Sequence, residues 1–93
     1  IGLTRTWSLE LAADGITVNC ICPGPIATEL YKIANPPEDP RTIASLATIP
    51  VGRIGTPEDI AHAAAFFLHE DSGFINGQTL YVCGASSVGR SGV

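Results

Sequence analysis

The sequence contains no methionine, one lysine (Lys32), one tryptophan (Trp7) and only five basic residues among its 93. Each shortage excludes something. Arg5, Lys32, Arg41, Arg53 and Arg90 are scattered against nine carboxylates, giving a net charge of −4, so no basic patch can track a phosphate backbone. Nucleic acid is therefore excluded as a partner. No apolar run approaches the ~20 residues of a membrane-spanning helix, so no membrane partner is expected. No basic segment leads into an apolar stretch near the start, and a cytoplasmic location is expected. Neither Tyr31 nor Tyr81 stands at helical spacing from the single lysine, so no tyrosine–lysine acid–base pair exists in the chain. No catalytic residue is expected within it.

Cysteine is sparse and odd in number: Cys20, Cys22 and Cys83. Reduced, buried thiols on strands are the expectation. A metal site would need the Cys-x-Cys pair to converge with His62 or His69, and the spacing of zinc sites, two such pairs, is missing. No metal is expected. His62 and His69, seven apart on a predicted helix, read as solvent-facing side chains. Ser86 and Ser87 have no histidine base near them in sequence, which leaves a hydrolase unsupported. Gly84-Ala-Ser-Ser-Val-Gly-Arg90-Ser91 nearly spells a phosphate loop, but arginine replaces the lysine and no helix can follow within two residues.

What is present is a clear order of elements. Residues 1–13 read as a helix with Leu3, Trp7 and Leu11 in one stripe, stopped by Asp14-Gly15 with Gly15 left-handed. No capping residue precedes Leu3, so the helix is expected to begin upstream of Ile1 and the chain to be the back half of something larger. Ile16–Ile21 follows as a strand apolar on both faces, as in a parallel sheet covered on both sides. Thr28–Pro50 carries Pro36, Pro37, Pro40 and Pro50 between two weak helical patterns, Thr28–Ala34 and Arg41–Ala47, and reads as a lid or binding insertion. Thr56-Pro57-Glu58-Asp59 is a helix start, with the helix running to about Glu70 and Ile60, Ala64, Phe67 and Leu68 on one side. Thr79–Cys83 is a second strand, and Gly84–Val93 a fraying tail. Two strands joined through a helix make a right-handed crossover, hence parallel neighbours. The fold class is α/β, and 93 residues allow one domain at most, burying roughly 60–65% of its unfolded surface.

The densest signal is Ile16-Thr-Val-Asn-Cys-Ile-Cys-Pro-Gly-Pro-Ile-Ala-Thr28, an apolar strand running into a Pro23-Gly24-Pro25 turn. The turn is either simple punctuation or a ligand corner at the carboxyl end of a strand, where open α/β sheets bind ligands. Proline at 23 and 25 stiffens the backbone and removes two donors. On the second reading the backbone of Ile26 and the hydroxyl of Thr28 match a carboxamide, which carries one acceptor and one donor group.

Four segments together resemble the C-terminal part of short-chain dehydrogenase/reductases, such as the 3-oxoacyl-acyl-carrier-protein reductases. They are Gly2-Leu-Thr-Arg with Glu10-Leu-Ala; Ile16 to Thr28; Pro50-Val-Gly-Arg-Ile-Gly-Thr-Pro-Glu-Asp-Ile-Ala61; and Ile75-Asn-Gly-Gln-Thr-Leu-Tyr-Val-Cys-Gly84. The resemblance covers residues 1 to about 85. It implies a C-terminal fragment (1–93) of a Rossmann-type doubly wound parallel sheet, with 28–50 as substrate lid and 85–93 as tail. It implies an NAD(P)-dependent oxidoreductase interconverting a secondary alcohol and a ketone, with a small-molecule or acyl-thioester substrate. NADP is slightly favoured over NAD. Pro23, Gly24, Pro25, Ile26 and Thr28 would hold the nicotinamide, Ile26 backbone and Thr28 hydroxyl taking its carboxamide. The family's Tyr-x-x-x-Lys pair, its catalytic serine and its glycine-rich loop would lie upstream of Ile1, leaving this chain inactive alone. The resemblance also implies a homo-oligomer, dimer or tetramer, through the first helix and the last helix and strand. The alternative is a non-catalytic oligomerisation fragment. Gly84 followed by Ala85, where the family often has two glycines, is the one departure.

Overall fold

The computed structural model describes residues 1–89. In chain order the elements are α1 (Gly2–Leu11), β1 (Cys20–Pro23), α2 (Glu29–Ala34), α3 (Pro40–Ala47), α4 (Pro57–Leu68) and β2 (Thr79–Val82), with short 3-10 turns at Ala12–Asp14 and Glu70–Ser72. β1 and β2 pair in parallel, Cys20 opposite Thr79 through Pro23 opposite Val82. A parallel pair needs a crossover, and the insertion plus α4 supplies it. The α/β class and the parallel pairing follow the expectation.

α1 ends where Gly15 takes φ 75°, a left-handed value that costs glycine little, while its N–H caps the Ala12 carbonyl. The chain then enters the sheet later than expected. Residues 16–19 are not laddered to β2: the Val18 N–H donates to the Asn76 side chain, and the Val18 carbonyl accepts from Gly77. Side-chain amides of Asn19 and Asn76 take the place of ladder partners there, so regular pairing starts at Cys20 and runs through Pro23. Asn76 also donates to the Ser8 carbonyl, tying α1 to the entrance of β2. Gly77 is required at this crossing, since a Cβ on it would stand 2.8 Å from the Ser8 hydroxyl.

α4 is fixed by its first turn. The Thr56 hydroxyl accepts from the Asp59 N–H, the Asp59 carboxylate accepts from the Thr56 N–H, and Pro57 occupies the first helical position. Ala63 (5% exposed) and Ile49 (4%) are the buried apolar residues among those described. Of the expected inner side of α4, Ile60, Ala64 and Phe67 are half-buried, Ala63, one of the alanines expected to pack closely, is buried, and Leu68 alone is corrected, being exposed. The expected stripe on α1 forms, but Leu3 and Trp7 are exposed and Ser8 is the buried position. The three cysteines are half-buried rather than buried.

The segment after β2 is more ordered than a fraying tail up to Gly89. Cys83 accepts from Ser86, and Ala85 from Val88 and Gly89, while Gly84 accepts from Val51. Residues 90–93, including Arg90 and Ser91 of the phosphate-loop look-alike, lie outside the described residues.

Candidate functional site

The corner at 23–28 is built by hydrogen bonds on one side only. The ladder with β2 continues one step past β1, where Gly24 donates to the Val82 carbonyl at 2.8 Å. Gly24 lies so close to the segment after β2 that a Cβ on it would stand 2.8 Å from the Cys83 Cα. Ile26 then pairs in an isolated parallel bridge with Gly55. In that bridge the Pro25 carbonyl accepts from Gly55 N–H at 2.9 Å, and Ala27 N–H donates to the Gly55 carbonyl at 2.8 Å. The alternation of an extended chain consequently turns the Ile26 N–H and carbonyl to the opposite side. Among the described residues, the Ile26 N–H has no intramolecular acceptor; its carbonyl accepts from Thr28 N–H at 2.8 Å and keeps a second lone pair.

Thr28 has two duties. Its backbone is extended, φ −94° and ψ 165°, and its hydroxyl oxygen caps α2 by accepting from the Tyr31 N–H at 3.1 Å. The hydroxyl hydrogen remains free to donate. The corner thus offers an N–H, a carbonyl lone pair and an O–H, all within three residues.

Pro23, Gly24, Pro25, Ile26 and Thr28 line one open cleft of about 600 Å³. Leu30, Tyr31 and Ala34 of α2 and Pro57 and Ile60 at the start of α4 complete the wall. From sequence, Leu30, Tyr31 and Ala34 fall within the expected 28–50 lid without being named as site residues, and Pro57 and Ile60 read only as parts of α4. The signal was available for α2, where positions 30, 31 and 34 fall on one helical face; for Pro57 and Ile60 it was hidden behind their evident role in starting a helix. Among the described residues, no charged side chain lines the cleft.

A second cavity of about 610 Å³ lies between α4 and β2, with Arg53, Asp59, His62, Phe66 and Tyr81 in its wall. Arg53 and Asp59 form a two-pronged pair at 2.8 and 3.1 Å. The Arg53 guanidinium, then the Thr56 N–H, holds the Asp59 carboxyl well below the usual carboxylate range. His62 and His69 are both exposed, as expected. The Ser87 hydroxyl, 3.1 Å from the Cys83 sulfur, lowers that thiol's pKa, whereas burial raises that of Cys22. No cluster of three or more metal-ligating side chains occurs among the described residues, and no helix there is long and apolar enough to cross a membrane.

A parallel β-crossover-β unit with a donor-rich corner at its carboxyl end defines a Rossmann-type α/β protein. The family model described as enoyl-(acyl carrier protein) reductase matches residues 1–86. The chain belongs to the short-chain dehydrogenase/reductase family of NAD(P)-dependent oxidoreductases, of which it spans the C-terminal part. It is 43% identical over 88 residues to the (2S)-[(R)-hydroxy(phenyl)methyl]succinyl-CoA dehydrogenase subunit BbsD of Thauera aromatica, covering 95% of this chain and 34% of that protein. It is 42% identical over 84 residues to the 3-oxoacyl-[acyl-carrier-protein] reductase FabG of Vibrio cholerae, covering 90% and 33%. A solved structure from Agrobacterium tumefaciens, provisionally named a 2-deoxy-D-gluconate 3-dehydrogenase and holding NADP, superposes with a TM-score of 0.81 at 42% identity. That superposition covers 90% of this chain and 34% of the other. The chain thus spans about a third of the length of the relatives it matches.

Proposed function

We propose that this chain supplies the nicotinamide-carboxamide contacts and the substrate lid of an oxidoreductase that interconverts a secondary alcohol and a ketone. The observation that carries the reading is the one-sided bridge of Ile26 with Gly55, which frees the Ile26 N–H toward the cleft beside the Thr28 hydroxyl. A carboxamide oxygen would accept from Ile26 N–H, and the amide NH₂ would donate to the Ile26 carbonyl. Thr28 would add a donor, and the two prolines would hold the corner without reorganisation on binding. NADP is favoured over NAD because a solved relative holds it. Residues 28–50, with α2 forming one wall of the cleft, are the substrate lid; a ketone or 3-oxoacyl thioester fits its uncharged lining. A cytoplasmic location belongs to the same reading.

The acid–base pair and the pyrophosphate loop of the family have no counterpart in these 93 residues, so the chain by itself binds without turning over. The test is a titration of the chain with nicotinamide mononucleotide followed by amide NMR. Shifts at Ile26 and Thr28, lost in Thr28→Val for the latter, are expected. Shifts confined to other regions overturn the assignment, as does reduction of a keto ester by the chain and NADPH alone.

A second reading, that the chain acts as an oligomerisation element without activity, rests on a different observation. Leu3 (58% exposed) and Trp7 (47%) on α1 stand uncovered, and so do Phe66 and Tyr81 of α4 and β2. Each such side chain gains roughly 1.5–3 kcal/mol when buried.

A further inference from the structure

Where α1 crosses the entrance of β2 stands the one Asn-Gly pair of the sequence, Asn76-Gly77. An asparagine amide is an electrophile for the backbone nitrogen of the next residue, and glycine, without a Cβ, hinders that approach least. The other two asparagines are poorer substrates. Asn35 precedes Pro36, whose nitrogen has no hydrogen to lose, and the nitrogen of Cys20, after Asn19, is held on the Gln78 carbonyl at 2.9 Å. In the folded chain both reacting groups of Asn76-Gly77 are tied to one residue. The Asn76 Oδ1 accepts from Val18 N–H at 2.9 Å, and the Gly77 N–H donates to the Val18 carbonyl at 2.9 Å. The Asn76 Nδ2 donates to the Ser8 carbonyl at 3.1 Å, and the buried Ser8 stands against Gly77. Neither group can turn toward the other while these bonds last. Among the described residues, the Asn76–Ser8 bond is also the one hydrogen bond that joins α1 to the chain beyond Ile16. With ten residues, α1 is a marginal helix once undocked.

We propose that Asn76-Gly77 is a self-deamidation site, held shut by the docked α1 and opened when α1 lifts away. It is independent of the oxidoreductase reading and lies at the amino end of the paired strands, away from the corner at 23–28. In the reaction the Gly77 nitrogen gives its proton to solvent and bonds to the Asn76 Cγ, while the Cγ–Nδ2 bond breaks and ammonia leaves. Water then opens the succinimide at either carbonyl, to aspartate or isoaspartate. Water is the only co-reactant, and nothing is oxidised or reduced. The product cannot restore the lock, because the Nδ2 donor is gone and a carboxylate oxygen would face the Ser8 carbonyl, acceptor against acceptor. The change is therefore one-way, and it removes the tie that held α1.

The test is incubation of the full chain at neutral pH, folded and in urea, with the amide-to-carboxylate mass change mapped to each asparagine by mass spectrometry. Asn76 should convert about tenfold or more slowly in the folded chain than in urea, since only locally opened molecules react. In urea it should outpace Asn19 and Asn35. The variant Asn76→Asp reproduces one product. Its α1 amides should exchange hydrogen about tenfold faster, with the Gly24 amide, bonded to the Val82 carbonyl, unchanged. Equal rates in folded and unfolded chain overturn the proposal, as does Asn76 reacting no faster than Asn19 in urea. So does unchanged α1 exchange in Asn76→Asp, or a loss of protection there that extends to Gly24.

Discussion

At the scale of single residues, Thr28 and Gly24 do most to shape the corner. Thr28 caps α2 with its oxygen, and in the proposed function its hydrogen serves a ligand, so both duties rest on one hydroxyl. Thr28→Ala removes both and should cost about 1 kcal/mol in thermal or urea unfolding. Thr28→Ser keeps both and should be near neutral on each count. Gly24→Ala drives a methyl against the Cys83 backbone, where nothing flexible can yield, and should cost about 1–3 kcal/mol in the same unfolding measurement. The thiols give a second contrast. With its pKa lowered by the Ser87 hydroxyl, Cys83 should be alkylated faster than Cys22, whose pKa is raised by burial, at neutral pH by mass spectrometry. The Pro-Gly-Pro corner was legible because its residue types restrict the backbone locally. The direction of the Ile26 N–H was not, because it depends on Gly55, a residue far along the chain that its own sequence context does not mark as a partner.

At the scale of elements, α4 shows which signals are local. Thr56, Pro57 and Asp59 define its start through contacts within four residues, and the expected cap and the observed cap coincide. Its carboxylate makes a test by pH. The Asp59 pKa is depressed in the folded chain, so its contribution to stability is complete above the unfolded value of about 3.9 and is lost as pH falls through the folded value. Acid unfolding followed by circular dichroism should show the loss beginning below about pH 4, and Asp59→Asn should be less stable at neutral pH and lose that portion of the acid dependence. β1 shows the opposite. Its pattern marked Ile16–Ile21 as a strand, yet pairing begins at Cys20 because Asn19 and Asn76 intercept the backbone groups that would have laddered. Period-two alternation states that a segment is extended and cannot state which neighbour takes its hydrogen bonds.

At the scale of the whole molecule, the described chain is open. Its radius of gyration is 16.2 Å, against about 12 Å for a compact domain of this length. Two buried apolar side chains are few beside the exposed Leu3, Trp7, Phe66, Leu68, Phe74 and Tyr81. Such surface favours association with a second copy or with further parts of the family fold. Sedimentation should show self-association in the low micromolar range, accompanied by a blue shift of emission from Trp7, the sole tryptophan. A stable folded monomer with unshifted emission contradicts it. The sequence alone determined the α/β order, the capped start of α4, the stiff corner and the family, since each follows from residue types within a few positions of one another. Only the tertiary structure decided where β1 begins, that the Ile26 N–H and carbonyl both turn away from Gly55, and that Pro57 and Ile60 join α2 in the cleft wall. Those features depend on partners brought together from opposite ends of the chain, and no local pattern encodes which distant groups will meet.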